Sequence, residues 1–157
     1  MKHLVPALIY LNHLFGRGIV PGTITFRHIG QYGGRSESGH TLDSAEGVLE
    51  QMHVCNRAEA DIFVGVNPRP TRSDLRKHIP LVHAIVTELD IGKDIPTPEA
   101  ALELAESLPL RPTMVMDSGS GGLHLYWRLT EGQPSWKGQQ IGKALKARLN
   151  ITDDVWG

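Results

Sequence analysis

The sequence predicts an α+β fold in a single domain of 157 residues, and three features carry that expectation. The run 81–91 holds Leu81, Val82, Ala84, Ile85, Val86 and Leu89 and is the most strand-like stretch of the chain. Thr97-Pro98-Glu99 follows as a helix start: an N-cap, a proline at the first helical position, then an acid near the positive helix end. Two further strand-like segments then flank a glycine-rich loop, ahead of a basic amphipathic segment.

The elements follow in order. Residues 2–15 place Leu4, Leu8, Leu11 and Phe15 at helical spacing, and Gly16 and Gly18 end that helix. Residues 24–29 alternate and read as a strand. Residues 30–40, with Gly30, Gly33, Gly34 and Gly39, read as a mobile loop. Asp43 with Glu46 resembles a capping box opening a helix to about Arg57. Asp61–Val66 is a short strand broken by Asn67-Pro68. Leu81–Ile91 is expected to be a central strand buried on both faces, and the helix from Thr97 runs to about Leu108. Thr113–Met116 and Leu123–Leu129 form a hairpin around the glycine loop, and residues 136–149 form the last helix.

From Leu81 the order is βαββα, one strand short of the βαββαβ order of a ferredoxin/RRM-like fold. Residues 1–80 form a small α/β module ahead of it, within one domain spanning 1–157.

Composition narrows the class. Hydrophobic residues make up 40% and charged residues 21%, so a core can be buried without staples. Cys55 is the one cysteine, which excludes an internal disulfide; no CxxC or HExxH marks a zinc site. No apolar run reaches the ~18 residues of a membrane span. The apolar stretch 4–15 lacks a charged start and a cleavage site, so a cytoplasmic protein is expected. The net charge of -1 argues against a broad surface that coats nucleic acid. Two local basic clusters remain: Arg69, Arg72, Arg76 and Lys77, and Lys137, Lys143, Lys146 and Arg148. Each also suits an ordinary solvated face.

Three constellations carry chemistry. In Thr87-Glu88-Leu89-Asp90-Ile91, residues i and i+2 of a strand share a face, so Glu88 and Asp90 point the same way. Two adjacent carboxylates repel, and a divalent cation relieves both the repulsion and the cost of desolvation. Alone, the tripeptide also describes a strand ending in solvent. In Asp117-Ser118-Gly119-Ser120-Gly121-Gly122-Leu123-His124, glycine lets backbone N–H groups approach an anion, and two hydroxyls add donors. His124 sits just inside the next strand and can donate to a phosphate oxygen. A plain hairpin turn has the same composition, and GxxxxGK[ST] is absent. In Gly65-Val66-Asn67-Pro68-Arg69, the arginine at a strand end can meet a triphosphate, or simply lie exposed on a turn.

In combination these features are more specific. An acidic pair on one strand, a helix, then a small-x-His motif on a later strand resembles the archaeo-eukaryotic primase superfamily. Glu88-Leu89-Asp90 stands for the first motif and Gly122-Leu123-His124 for the second. The words DIFVGVNPR, TELDIGKD and DSGSGGLHLYW look like its plasmid and phage branch of RepB-like primase-polymerases, over about residues 15–150. Many relatives have Asp where Glu88 stands.

The resemblance implies a palm-type catalytic domain and a DNA primase or DNA polymerase: a nucleotidyltransferase in which a 3′-hydroxyl attacks the α-phosphate of a nucleoside triphosphate. It implies Mg²⁺ or Mn²⁺ held by Glu88 and Asp90, with Asp154 or Asp153 as the third acid. Ser118, Gly119, Ser120, Gly121 and His124 would position the triphosphate, with Arg69 and Lys93 as further candidates. The implied partners are nucleoside triphosphates, a single-stranded DNA template and primer, and a replicative helicase or a further C-terminal domain. Template is expected along a basic strip such as the 137–148 helix. The missing strand and the uncertain third acid lead to the expectation that residues 1–157 alone are a weak catalyst. Two other readings stay open. A non-catalytic nucleic-acid-binding module of this fold would need stacking aromatics on an exposed sheet face, where only Tyr126 is available. A rolling-circle initiator would need two histidines flanking an apolar residue, and Gly122 stands where the first would be.

Overall fold

The computed structural model describes residues 5–16, 22–30, 35–40, 45–70, 79–119 and 122–151. The chain divides into two compact units, Met1–Pro80 and Leu81–Gly157, and each has its own three-stranded antiparallel sheet.

In the first unit the order is α1 (Val5–Phe15), β1 (Ile24–Ile29), β2 (Arg35–His40), α2 (Ala45–Arg57) and β3 (Asp61–Val64). Strand β1 is central, between β2 and β3. Leu11, Leu14 and Phe15 of α1, Ile24 and Phe26 of β1, and Val48, Leu49 and Met52 of α2 are buried. The loop expected over 30–40 is corrected: Arg35–His40 is a strand, in register from Ile24 opposite His40 to Ile29 opposite Arg35. Its Gly and Ser content disfavours a strand locally, but a continuous ladder against β1 outweighs that weak preference. The residue expected to cap α2, Asp43, lies outside the described residues.

In the second unit the order is β4 (Leu81–Asp90), α3 (Pro98–Ser107), β5 (Met114–Asp117), β6 (Gly122–Pro134) and α4 (Ser135–Leu149). The sheet order β4-β6-β5 is the order of the first three strands of a ferredoxin-like fold, and the α+β class read from the sequence holds. Among the described residues the strand partner of β4 is β6 alone, so it is an edge strand of that sheet rather than the central one expected, and burial on both faces holds only around Ala84–Ile85. Ile85, Thr87 and Leu89 are fully buried, while Val86, Glu88 and Asp90 between them are half-buried. Adjacent Ala84 and Ile85 are both fully buried, so the strand is covered on both faces there, and towards its end only the face of Thr87 and Leu89 stays closed.

Helices α3 and α4 cover the buried face. Leu89, Leu125 and Trp127 of the sheet pack with Ala101 and Ala105 of α3, Leu108, Leu149 and Ile151. Thr97 caps α3 as expected, its Oγ1 accepting from the Ala100 N–H at 3.2 Å. Asn150 ends α4 in the left-handed conformation, a common helix stop. Gly138 brings α4 close to β4: a Cβ there would lie 2.7 Å from Val82 Cγ2.

Candidate active site

Pairing of β4 with β6 sets the site. The register puts Glu88 opposite His124 and Asp90 opposite Gly122. On the far side of β6, Met116 of β5 also lies opposite His124. Alternation then brings Glu88, Asp90 and His124 to one face of the sheet, away from Leu89 and Leu125. His124 Nε2 is 3.6 Å from Glu88 Oε1, with the two side chains 34% and 39% exposed. Both can therefore meet a ligand without first being dug out of a core. The His124 ring stands edge-on to Tyr126, with centroids 6.2 Å apart. Tyr126 itself is buried, so the sheet lacks the exposed stacking aromatic that a non-catalytic binding module would use.

Asp90 closes the strand and opens a tight turn. Its carbonyl accepts from the Asp94 N–H at 2.9 Å, and Gly92 takes φ 87° there, a value that suits glycine. The Asp94 carboxylate accepts from the Asp90 N–H at 3.2 Å. Lys93 Nζ lies 3.3 Å from Asp90 Oδ2, an exposed ion pair. Asp94 was missed in the sequence, although Asp90-Ile91-Gly92-Lys93-Asp94 has the composition of a turn held by its end acids.

The glycine loop meets this end of the strand pair. Ser118 N–H donates to the Gly122 carbonyl at 2.9 Å, and Gly122 N–H donates to Ser118 Oγ at 3.0 Å. Gly119, at φ 80°, donates its N–H to Asp117 Oδ1 at 2.7 Å. These three N–H groups serve the loop's own turn, and Asp117 is a second residue whose part the sequence left unassigned. Ser120 and Gly121 lie outside the described residues. The small residue of the small-x-His motif has a clear reason. A Cβ at Gly122 would sit 2.9 Å from the Leu89 carbonyl oxygen, 3.2 Å from Ser118 Oγ and 3.5 Å from Glu88 Oε1. The Leu89 carbonyl is closer than a Cβ tolerates and Ser118 Oγ is tight, so a larger residue would push the loop off the end of β4.

Arg69 belongs to the first unit. Its backbone bridges Thr23, and Nη1 donates to Thr25 Oγ1 at 2.7 Å, above Gly65. The guanidinium is thus oriented by Thr25 of β1. Of the basic cluster around it, Arg72, Arg76 and Lys77 lie outside the described residues, as do Asp153 and Asp154. Among the described residues no three His, Cys, Asp or Glu side chains group closely enough to hold a metal ion, and no helix is long and apolar enough to cross a membrane. Around the end of β4 the face thus carries Glu88, Asp90, His124 and Lys93, with the Asp94 carboxylate on the Asp90 N–H.

No family model matches the sequence, and no curated protein matches it. Among solved structures, the chain is similar to the AEP domain of the primase-polymerase (PrimPol) of cyanophage S-2L, AEP standing for archaeo-eukaryotic primase. The two align with a TM-score of 0.65 and 20% identity, over 92% of this chain and 72% of that one. At that identity the likeness carries the fold.

Proposed function

We propose that this chain, which has the fold of an archaeo-eukaryotic primase domain, is the catalytic domain of a primase-polymerase serving phage or plasmid replication. It would transfer nucleotides from triphosphates to a 3′-hydroxyl on a single-stranded DNA template. The observation that carries this reading is the row on the open sheet face: Glu88 in register with His124, Asp90 opposite Gly122, and the Ser118–Gly122 turn at the same end.

The donor set suits a divalent metal. Glu88 and Asp90 are half-exposed hard oxygen donors on one face. Magnesium commonly takes one or two carboxylates and completes its shell with water and substrate phosphates. Bound there, Mg²⁺ or Mn²⁺ would lower the pKa of the attacking hydroxyl and neutralise charge on the leaving pyrophosphate. The chain's own residues do the rest. Lys93 balances Asp90 through an exposed pair worth at most ~1 kcal/mol, so the carboxylate is readily released to another cation. His124, beside Glu88, donates from Nε2 to a phosphate oxygen and orients the triphosphate. The Ser118 hydroxyl, ordered by the Gly122 N–H, adds a donor from the loop, Gly119 has open space where a Cβ would stand, and Ser120 and Gly121 complete the set expected to meet the phosphates. Asp154 is a further acid in this reading.

The test is incubation with a primed single-stranded template, Mn²⁺ and labelled deoxynucleotides, alongside a supercoiled plasmid. Primer extension without nicking is the expected result. Nicking without extension would replace this reading with a rolling-circle initiator.

A further inference from the structure

We infer that the outward face of α4 is a second contact for single-stranded DNA, separate from the acid pair and on the opposite side of the sheet. The sequence suggested template along this helix; the geometry changes what such a contact can do. Helix α4 packs through Leu149 on the face that carries Leu89 and Leu125, whereas Glu88, Asp90 and His124 occupy the other face. A strand held by α4 is therefore held away from the reacting atoms, and the helix serves as an anchor rather than as part of the catalytic cleft.

Three observations give the face its ligand. First, α4 carries Lys137, Lys143, Lys146 and Arg148 and no acid, in a chain of net charge -1. Second, at 100° per residue Trp136, Gln140, Lys143 and Ala147 fall on one outward stripe, opposite buried Gly138, Gly142 and Leu149. Lys137 and Arg148 flank the stripe on one side and Lys146 on the other. Trp136 is 61% exposed, an aromatic surface that a merely solvated charged face does not need. Third, α3 shares the same layer and has the opposite character: Glu99, Glu103 and Glu106 are exposed, and the helix itself carries no lysine or arginine. A polyanion is thus attracted along α4 and repelled from its neighbour.

Cations spaced along a track with an aromatic platform are what sequence-tolerant single-strand binding uses: phosphates meet the charges and a base stacks on the ring. From Lys137 to Arg148 the track is about 16 Å long. An acidic polypeptide would meet the same charges; the preference for DNA rests on the function proposed above and on Trp136.

The test uses the full chain without nucleotide or metal, titrated into a labelled oligothymidylate at several salt concentrations. Trp136→Ala should weaken binding about tenfold, the scale of one base–aromatic stack. Lys137→Gln with Lys143→Gln, both exposed, should reduce the slope of log affinity against log salt by about 1.4, at ~0.7 per single-strand phosphate contact. Unchanged affinity and slope in both variants would overturn the proposal. So would variants that keep oligonucleotide binding but lose binding to polyglutamate, or that abolish self-association while leaving the DNA titration untouched. The titration needs no catalysis, and primer extension by the acid pair is read separately, so the two readings fail independently.

Discussion

The two faces of the β4–β6–β5 sheet are made from alternate residues of the same strands, yet they are built for opposite ends. On the helix-covered face, Ile85, Thr87, Leu89 and Leu125 are shut off from solvent. On the open face, Glu88, Asp90 and His124 keep roughly a third of their side-chain surface exposed. Neighbours in sequence thus answer to different physics: Leu89 to packing, Glu88 and Asp90 to charge. A one-residue slip would bury two carboxylates and expose the core, so the packing of the covered face also fixes the aim of the acids.

That contrast is sharpest in substitutions at adjacent positions. Leu89→Ala removes a fully buried side chain and should cost about 2–5 kcal/mol in urea unfolding, the usual range for Leu to Ala in a core. A cost under ~1 kcal/mol would mean the covered face is not a close-packed core. Gly122→Ala should be milder in stability, about 1–3 kcal/mol as for other overpacked sites, because the new Cβ would meet the Leu89 carbonyl oxygen at 2.9 Å. It should also shift the imidazole resonances of His124 as the loop moves off the end of β4; a variant as stable as the parent with unshifted resonances would remove the packing reason for a small residue there. Thr97→Ala should cost about 1 kcal/mol through loss of the α3 cap, read as a lower thermal midpoint.

The smallest effect concerns pH. Burial first, and the Arg128 guanidinium second, hold the His83 pKa below its ordinary 6.5. The unfolded chain then takes up the proton before the folded one does, so stability rises with pH in this window. His83's contribution is complete above the unfolded value of 6.5 and is lost as pH falls towards the folded one. His83→Gln should flatten the dependence of stability on pH below about 6.5. An unaltered slope would show that His83 titrates alike in both states.

Much of this contrast was legible in the sequence because it rests on periodicity and spacing. Two-residue alternation placed Glu88 and Asp90 together and set His124 opposite to Leu125. The cap at Thr97 and the strand break at Asn67-Pro68 were equally local. What escaped depended on pairing. Arg35–His40 has a loop's composition and becomes a strand through its ladder with β1. The place of β4 at the edge beside β6 among the described residues is a matter of sheet order that Leu81–Ile91 does not encode. The turn-holding parts of Asp94 and Asp117 are local, but they emerge only once the backbone groups they accept from are known. The opposition of α4 to the acid pair also follows from three-dimensional packing alone.

As proposed, the open face would perform nucleotidyl transfer through Glu88 and Asp90. The most direct measurement is the rate of labelled nucleotide incorporation on a primed single strand with Mn²⁺, for the parent chain and Asp90→Asn side by side. Asp90 is half-exposed and its ion pair with Lys93 contributes at most ~1 kcal/mol, so the variant should unfold at nearly the parent's urea midpoint. Incorporation should nevertheless fall by more than ~100-fold, since even partners outside a metal's own ligands cost 10–100-fold. Equal incorporation by the two folded proteins would contradict the account.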